Sequence, residues 1–416
     1  MAQLLPILLE EFHEKLKETA KSLPRTFTFP DLAQKINVAI GMRRVGKTYA
    51  LLQKITALLE QKGMAITQIL YLNLEDDRLV PCTQKLLRQL IEGFYTLYPE
   101  NHDRQCYLFL DEIQNVEDWP ILIRRIFDTK KVHIYLTGSS AKLLSKEIHT
   151  SLRGRALATE IWPYSFSEYL QAHQVTFKNK ALSQKNWDLM QHHLQAYLES
   201  GGFPETIGIP EEKRRQILQE YVDIVIIRDI VERYNITNIT LIKYLIKFLL
   251  NNAGGTFSIN KFFNDLKSQG LMCSKNTLYD YLEYVEDAYL TFTVPLYSES
   301  IRKTHSNPRK IYAIDPGLVN SYHVGLSKNY GHLFENLIFL ELRRQGHKVF
   351  YYLTQERYEV DFLSVDLKGK MCLYQVVWEI TDTHTMERET RALKIAEKEL
   401  NLKGTLITPS VFIESN

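Results

Sequence analysis

The feature that most restricts this chain is the run Gly41-Met-Arg-Arg-Val-Gly46-Lys47-Thr48, which follows an apolar stretch, Ile36–Ile40, and opens a helical one. A G-x4-G-K-[ST] run in that setting cradles nucleotide phosphates. Its glycines let successive backbone N–H groups wrap an anion, and the helix N-terminus adds partial positive charge. Lys47 then reaches the β- and γ-phosphates, and the Thr48 hydroxyl ligates Mg2+. Gly41, Arg43, Arg44, Val45, Gly46, Lys47, Thr48 and Tyr49 are the residues expected around the nucleotide, with ATP and Mg2+ as cofactors. Such a loop needs a sheet behind it. Further apolar runs lie at residues 69–74, 107–110, 132–137 and 157–161, with helical stretches between them; one of these carries Leu51, Leu52, Ile55, Leu58 and Leu59 on one face and stops at Gly63. The alternation predicts an α/β domain with a parallel sheet covered on both sides.

Two more strand ends carry chemistry. The run Tyr107-Leu-Phe-Leu110 ends in Asp111-Glu112, which puts Asp111 beside the Mg2+ shell and Glu112 where it can polarise an attacking water. The run ending Thr137-Gly-Ser139-Ser140 offers a hydroxyl between that glutamate and the γ-phosphate, with Thr137 the first choice and Ser139 the second. Just before the last strand, Ser151-Leu-Arg153-Gly-Arg155 provides Arg153 or Arg155 as a finger that completes a neighbouring copy's site. Surface salt bridges are the plainer reading of both arginines.

Composition narrows the rest. The net charge is +2, so nucleic-acid binding would have to come from local basic patches and not from the chain as a whole. Cys82, Cys106, Cys273 and Cys372 form no CxxC pair, which argues against a zinc site or disulfide framework and for a reducing, cytoplasmic setting. The first residues, MAQLLPILLEEFHEKLKE, lack a basic region and a long apolar run. They are expected to cover a core as an amphipathic helix, and nothing along the chain is apolar enough to span a membrane.

Taken together, the Gly41–Thr48 run, Leu110-Asp-Glu-Ile-Gln-Asn-Val-Glu-Asp-Trp119, Thr137-Gly-Ser-Ser and Ser151-Leu-Arg-Gly-Arg resemble a prokaryotic AAA-type ATPase family. The likeness continues through Trp162-Pro-Tyr-Ser-Phe-Ser-Glu168 and Gly201-Gly-Phe-Pro-Glu205, similar to that family's lid region, and reaches a C-terminal domain similar to PD-(D/E)XK nucleases. The resemblance implies a sheet in the order 5-1-4-3-2, followed by a helical lid, a winged helix and an α/β restriction-nuclease-like domain. The corresponding boundaries are 1–165, 166–245, 246–300 and 301–416.

In the C-terminal domain the resemblance implies a second metal site at Glu335 and Asp361. This sequence departs from the pattern there: the next strand reads Gln375-Val376-Val377 where Glu-Val-Lys is usual. A metal ligand charge and the water-positioning ammonium are missing. Glu379, on the same strand face as Gln375, is the one conceivable replacement. A weak or absent nuclease that still contacts DNA is the expectation. In the winged-helix segment Ser274 is expected to cap a helix over residues 275–287, with Lys275, Asn276 and Tyr279 near its groove-reading end. Glu283, Glu286 and Asp287 argue against phosphate contact along its length. The basic connector that follows, residues 298–310, offers Arg302, Lys303, Arg309 and Lys310 for phosphate contact.

The preferred function is therefore an ATPase coupled to DNA binding or processing, able to self-associate. The alternatives are a nucleotide-gated switch or scaffold for protein partners, and an ATP-regulated, metal-dependent nuclease.

Overall fold

The computed structural model describes residues 4–19, 22–30, 32, 34–139, 152, 154–175, 183–298, 300, 308–323, 325, 329–378 and 383–415. The chain divides into two compact units, Met1–Ile161 and Trp162–Asn416.

In the first unit the apolar runs become five parallel strands: Ile36–Ile40 (β1), Ile69–Asn73 (β2), Cys106–Asp111 (β3), Val132–Gly138 (β4) and Ala156–Glu160 (β5). Their order is β2-β3-β4-β1-β5, the order expected from the sequence read from the other edge. β1 and β3 are buried along their whole length, as central strands of a sheet covered on both faces must be. Both pair with β4, so the loops that follow β1 and β3 flank the end of β4. That crossing of the sheet centre brings Lys47, Asp111, Glu112 and Thr137 together from three separate segments.

The helices follow the 3.6-residue pattern. Helix α1, Leu4–Thr19, buries Leu5, Leu9, Phe12 and Leu16, each worth about 1.5–3 kcal/mol on removal from water. Helix α2, Lys47–Lys62, ends at Gly63, which adopts φ 61° and returns its N–H to the Leu58 carbonyl. α3, Gln84–Leu97, and α4, Trp119–Thr129, complete the layers. Thr83 caps α3 by accepting from the Leu86 N–H.

The second unit begins with helices Phe166–Ala172, Gln184–Ser200 and Glu211–Ile224, the last running on through a π-helical turn, Val225–Val231. Helix Ile239–Asn251 leads to β6, Thr256–Phe257, and then to helices Ile259–Ser268 and Lys275–Asp287. Ser274 caps the second of these, as expected. The first is capped by Ser258, which accepts from the Lys261 N–H. Strands β7, Thr291–Val294, and β8, Arg309–Ala313, join β6 in a three-stranded sheet ordered β6-β8-β7. Then come helices Pro316–Tyr322 and Tyr330–Arg344, and strands β9 Lys348–Leu353, β10 Glu359–Val365 and β11 Met371–Val376. Helix Thr383–Leu400 precedes β12, Gly404–Ile407, and the four strands order as β12-β11-β10-β9. Val360, Leu363, Leu373, Ala392, Leu393 and Ala396 form the core between this sheet and helix Thr383–Leu400.

The Gly201-Gly-Phe-Pro motif has a structural explanation inside this unit. Asp315 is fully buried and accepts from the Gly202 N–H at 2.7 Å and the Leu318 N–H at 3.0 Å. Gly201 adopts φ 74°, and a Cβ there would come within 1.9 Å of the Asp315 carboxylate, so only glycine lets this buried acid seat itself. Among the described residues no helix is long and apolar enough to cross a membrane.

Candidate nucleotide site

The loop after β1 carries backbone angles that its sequence demands. Gly41 lies at φ 151° and Gly46 at φ 96°. A Cβ on Gly41 would meet the Ile161 carbonyl oxygen at 2.2 Å, so the start of the loop has no room for a side chain. Met42 and Val45 are fully buried anchors. Arg25 donates to the Val45 carbonyl at 2.9 Å and holds the loop from the N-terminal segment. Arg43 pairs with Glu75 at 3.0 Å. Arg44 is exposed at φ 68°, and Tyr49 is half exposed on the first turn of α2.

Lys47 opens α2 and is only 4% exposed. Its Nζ donates to the Gly41 and Met42 carbonyls, both at 3.1 Å, and lies 3.7 Å from Glu112 Oε1. The ammonium thus rests on the loop's own acceptors, which an incoming phosphate can replace.

The two acids after β3 are held differently. Asp111 is buried; its Oδ2 accepts from Tyr71 OH at 2.9 Å and its Oδ1 from Thr137 Oγ1 at 2.5 Å. Burial, and then the charge of Glu112, push its carboxyl above the usual range, opposed by hydrogen bonds from Thr137, Thr48 and Tyr71. Burial and the Asp111 charge raise the Tyr71 phenol further still, so it stays a donor. Thr48 and Asp111 are therefore already joined in one network of hard oxygens, the donor set Mg2+ prefers. A dication there would offset the cost of burying the Asp111 charge. The residues present fit the ion.

Glu112 takes the left-handed conformation, φ 56°, unusual for a residue with a side chain. Its N–H donates to Thr137 Oγ1 at 2.7 Å, and its Oε2 accepts from the Gln114 side-chain amide. Thr137 therefore bridges Asp111 and the Glu112 backbone, with its hydroxyl engaged both ways. Ser139, the second choice, is buried at the end of the same strand.

Arg155 lies at the opposite end of the sheet. Its carbonyl accepts from Ile36 N–H at 2.7 Å, and its guanidinium meets Asp128 at 3.1 Å. The five residues of β1, at roughly 3.3 Å each, set it about 16 Å from its own phosphate loop. Arg153 lies outside the described residues.

A second cluster forms in the other unit. Glu335 and Asp361, expected as metal ligands, do come together, and Glu359 joins them. At their centre is Lys310 Nζ, 2.7 Å from Glu335, 2.8 Å from Glu359 and 2.9 Å from Asp361. Tyr312 OH adds a bond to Glu335 at 2.6 Å. Lys310 is 2% exposed, which corrects its assignment to an exposed, phosphate-binding connector: it is an inward-facing residue of β8. The ammonium of this cluster thus comes from β8. Gln375 accepts from Asp361 N–H at 3.3 Å and donates to Glu389 at 2.6 Å, so it props the cluster without adding charge. Glu379 lies outside the described residues.

Of the other residues expected on DNA, Lys275 and Asn276 are exposed at the start of helix Lys275–Asp287. Arg309 is partly buried and donates to Thr293 Oγ1 at 3.2 Å. Arg302 and Lys303 lie outside the described residues. Two of the acids that argued against phosphate contact are otherwise engaged. Glu286 accepts from Thr293 N–H at 2.7 Å, and Asp287 accepts from Tyr234 OH at 2.9 Å.

Sequence reasoning did not find Tyr71, Gln114 or Arg25, and it gave Lys310 phosphates for partners in place of the three carboxylates. Gln114, two residues past Glu112, carried the only visible signal, since a turn that short returns its side chain toward the acid.

Residues 33–170 match the model of a family described as an AAA domain, and residues 191–329 and 330–412 match two domains of unknown function, DUF8612 and DUF4143. An uncharacterised protein of Methanocaldococcus jannaschii, MJ1544, is 38% identical over 403 residues, 95% of this chain and 87% of the relative. An uncharacterised protein of Haemophilus influenzae is 31% identical over 353 residues, 84% of each. Among solved structures, the Aeropyrum pernix ORC2 protein in ADPNP–ADP complexes aligns over 82% of this chain and 94% of its own, with TM-score 0.38 and 13% identity. The Aeropyrum pernix ORC1 protein in complex with DNA aligns over 76% and 91%, with TM-score 0.32 and 13% identity. At 38% identity over nearly its whole length, the chain belongs to the family of MJ1544, and its residues 33–170 are an AAA domain.

Proposed function

We propose that this protein is a Mg2+-dependent ATPase whose turnover is coupled to DNA held by its second unit. One observation carries the reading. Lys47 Nζ lies 3.7 Å from Glu112 Oε1, and Thr48, Asp111 and Thr137 form one network beside it. A phosphate binder, a metal-binding acid and a second carboxylate thus converge at the helix N-terminus. Lys47 and the loop N–H groups bind and orient the triphosphate. Glu112 accepts the proton of the attacking water. Thr48 and Asp111 would hold Mg2+, which when bound neutralises charge on the phosphates.

Arg155 is too far from its own loop to act there, which favours a finger supplied to a second copy. The DNA reading rests on exposed Lys275 and Asn276 at the start of helix Lys275–Asp287, and on the helix and strand order of residues 239–313, which suits a winged helix. The carboxylate cluster of the second unit is best read as neutralised from within. Lys310 takes the place a metal would need, so cleavage of DNA is expected to be weak or absent.

Turnover should rise with protein concentration and with added double-stranded DNA. Arg155→Ala should lower it at least about 100-fold without loss of ATP affinity, in line with the finger effect in related chemistry. Full-rate hydrolysis by a monomer, or a rate indifferent to DNA, would favour a nucleotide-gated scaffold. Mg2+-dependent nicking of plasmid that Asp361→Ala abolishes would overturn the non-cleaving reading.

A further inference from the structure

Glu112 must hold one carboxylate oxygen toward the phosphate position and keep the other occupied. The structure separates the two. Oε1 faces Lys47 Nζ at 3.7 Å, on the side where the γ-phosphate is bound. Oε2 accepts the side-chain N–H of Gln114. Gln114 is carried on a one-turn 3-10 helix, Ile113–Asn115, which Glu112 itself starts from its left-handed backbone conformation. The Asn115 N–H closes that turn on the Glu112 carbonyl at 3.1 Å, so the position of Gln114 is tied to the backbone of the acid it holds. The arrangement has a cost. Among the described residues, the other amide atom, Gln114 Oε1, is buried without a hydrogen-bond partner, and an orphaned buried acceptor is unfavourable. A glutamine serving only the fold would gain by turning outward to satisfy both ends.

Resting on the ATPase reading, we propose that Gln114 is a positioning residue of the hydrolytic site. Its amide N–H fixes Oε2 of Glu112 so that Oε1 is the oxygen presented to the attacking water. In the step, the water oxygen bonds to the γ-phosphorus, and the bond from that phosphorus to the β–γ bridging oxygen breaks. The electron pair leaves with ADP, and the water proton passes to Glu112 Oε1. Gln114 touches neither water nor nucleotide. Its effect is to orient the carboxylate.

The test uses the full chain with Mg2+ and ATP, following steady-state kcat and KM, nucleotide affinity by titration with a fluorescent ATP analogue, and thermal unfolding. Gln114→Leu is expected to lower kcat roughly 10–100-fold, the range for a mispositioned general base, with affinity within about twofold. Because the loss falls on kcat and not on binding, KM and the unfolding midpoint are expected to stay close to wild type. Gln114→Asn, which keeps the amide but shortens its reach, should show the same pattern with less disturbance to folding. An unchanged kcat in both variants overturns the proposal. So does a lower kcat matched by lost affinity and a lower unfolding midpoint, because that is the mark of a merely structural role. Glu112→Gln is run beside them: if it hydrolyses ATP at the wild-type rate, the ATPase assignment of Glu112 fails whatever Gln114 does.

Discussion

Lys47→Ala is expected to weaken ATP binding by about 100-fold or more. Charge-assisted hydrogen bonds of this kind are worth about 1.5–3 kcal/mol each, and the ammonium serves two phosphates. No other cation is placed to take over within the loop: Arg43 is drawn away to Glu75, and Arg44 is exposed at a left-handed position. The change also removes the positive charge 3.7 Å from Glu112, beside the neighbouring acid Asp111. Loss of binding should therefore come with a modest loss of stability, because Lys47 also donates to the Gly41 and Met42 carbonyls of its own loop. Titration with a fluorescent nucleotide, beside thermal unfolding of the same sample, checks both halves. An affinity within a few-fold of wild type would mean that the loop binds phosphate by backbone N–H groups alone.

The second large effect is on stability. Lys310 faces three carboxylates, all at 2.7–2.9 Å, and removing one partner of a buried ion pair typically costs about 3–5 kcal/mol. Lys310→Met is expected to destabilise the second unit by that order. The pH dependence follows from the shifts. Burial opposes the charged form of Lys310, yet Tyr312, Glu335, Asp361 and Glu359 raise its pKa well above the ordinary value. Its contribution to stability is therefore complete below the ordinary lysine pKa and is lost only as the pH rises past it. Burial and the Asp361 charge raise Glu335. A raised carboxyl binds its proton more tightly when folded, so stability falls with rising pH between the ordinary glutamate value and the raised one. Without Lys310 only the Tyr312 hydrogen bond, among the described residues, opposes that rise. The destabilisation in Lys310→Met should therefore be smallest near pH 4 and grow toward neutrality. Denaturant midpoints at several pH values test it; a variant as stable as wild type at pH 7 would show that the cluster is hydrated and weakly coupled.

The legibility of this chain was uneven for physical reasons. The first unit was readable because a buried parallel strand is a nearly continuous apolar run, and each of the five ends in a recognisable polar or glycine signal. The strand order followed from the resemblance, and Asp111 and Glu112 could be placed from one strand end alone. Thr137 shows the limit. Its position at the end of β4 was correct, but the direction of its hydroxyl depends on the β3 register beside it, which no local pattern encodes. Lys310 was misplaced because two basic residues after a polar stretch look like a solvated loop. Only Ile311-Tyr-Ala, following them, marks a strand, and the three carboxylates that draw the side chain inward come from residues 25 to 51 positions later in the chain. Gln114 was passed over for the opposite reason: it lies so close to Glu112 that it reads as turn.

The central claim is hydrolysis at the Lys47–Glu112 site, and one comparison tests it most directly. Phosphate release from ATP in Mg2+ is measured for wild type and for Glu112→Gln at matched nucleotide occupancy. The account predicts ATP binding within about twofold and turnover at least about 100-fold slower for the variant, because only the proton acceptor is lost. Equal rates in the two proteins, with both bound to ATP, would contradict it.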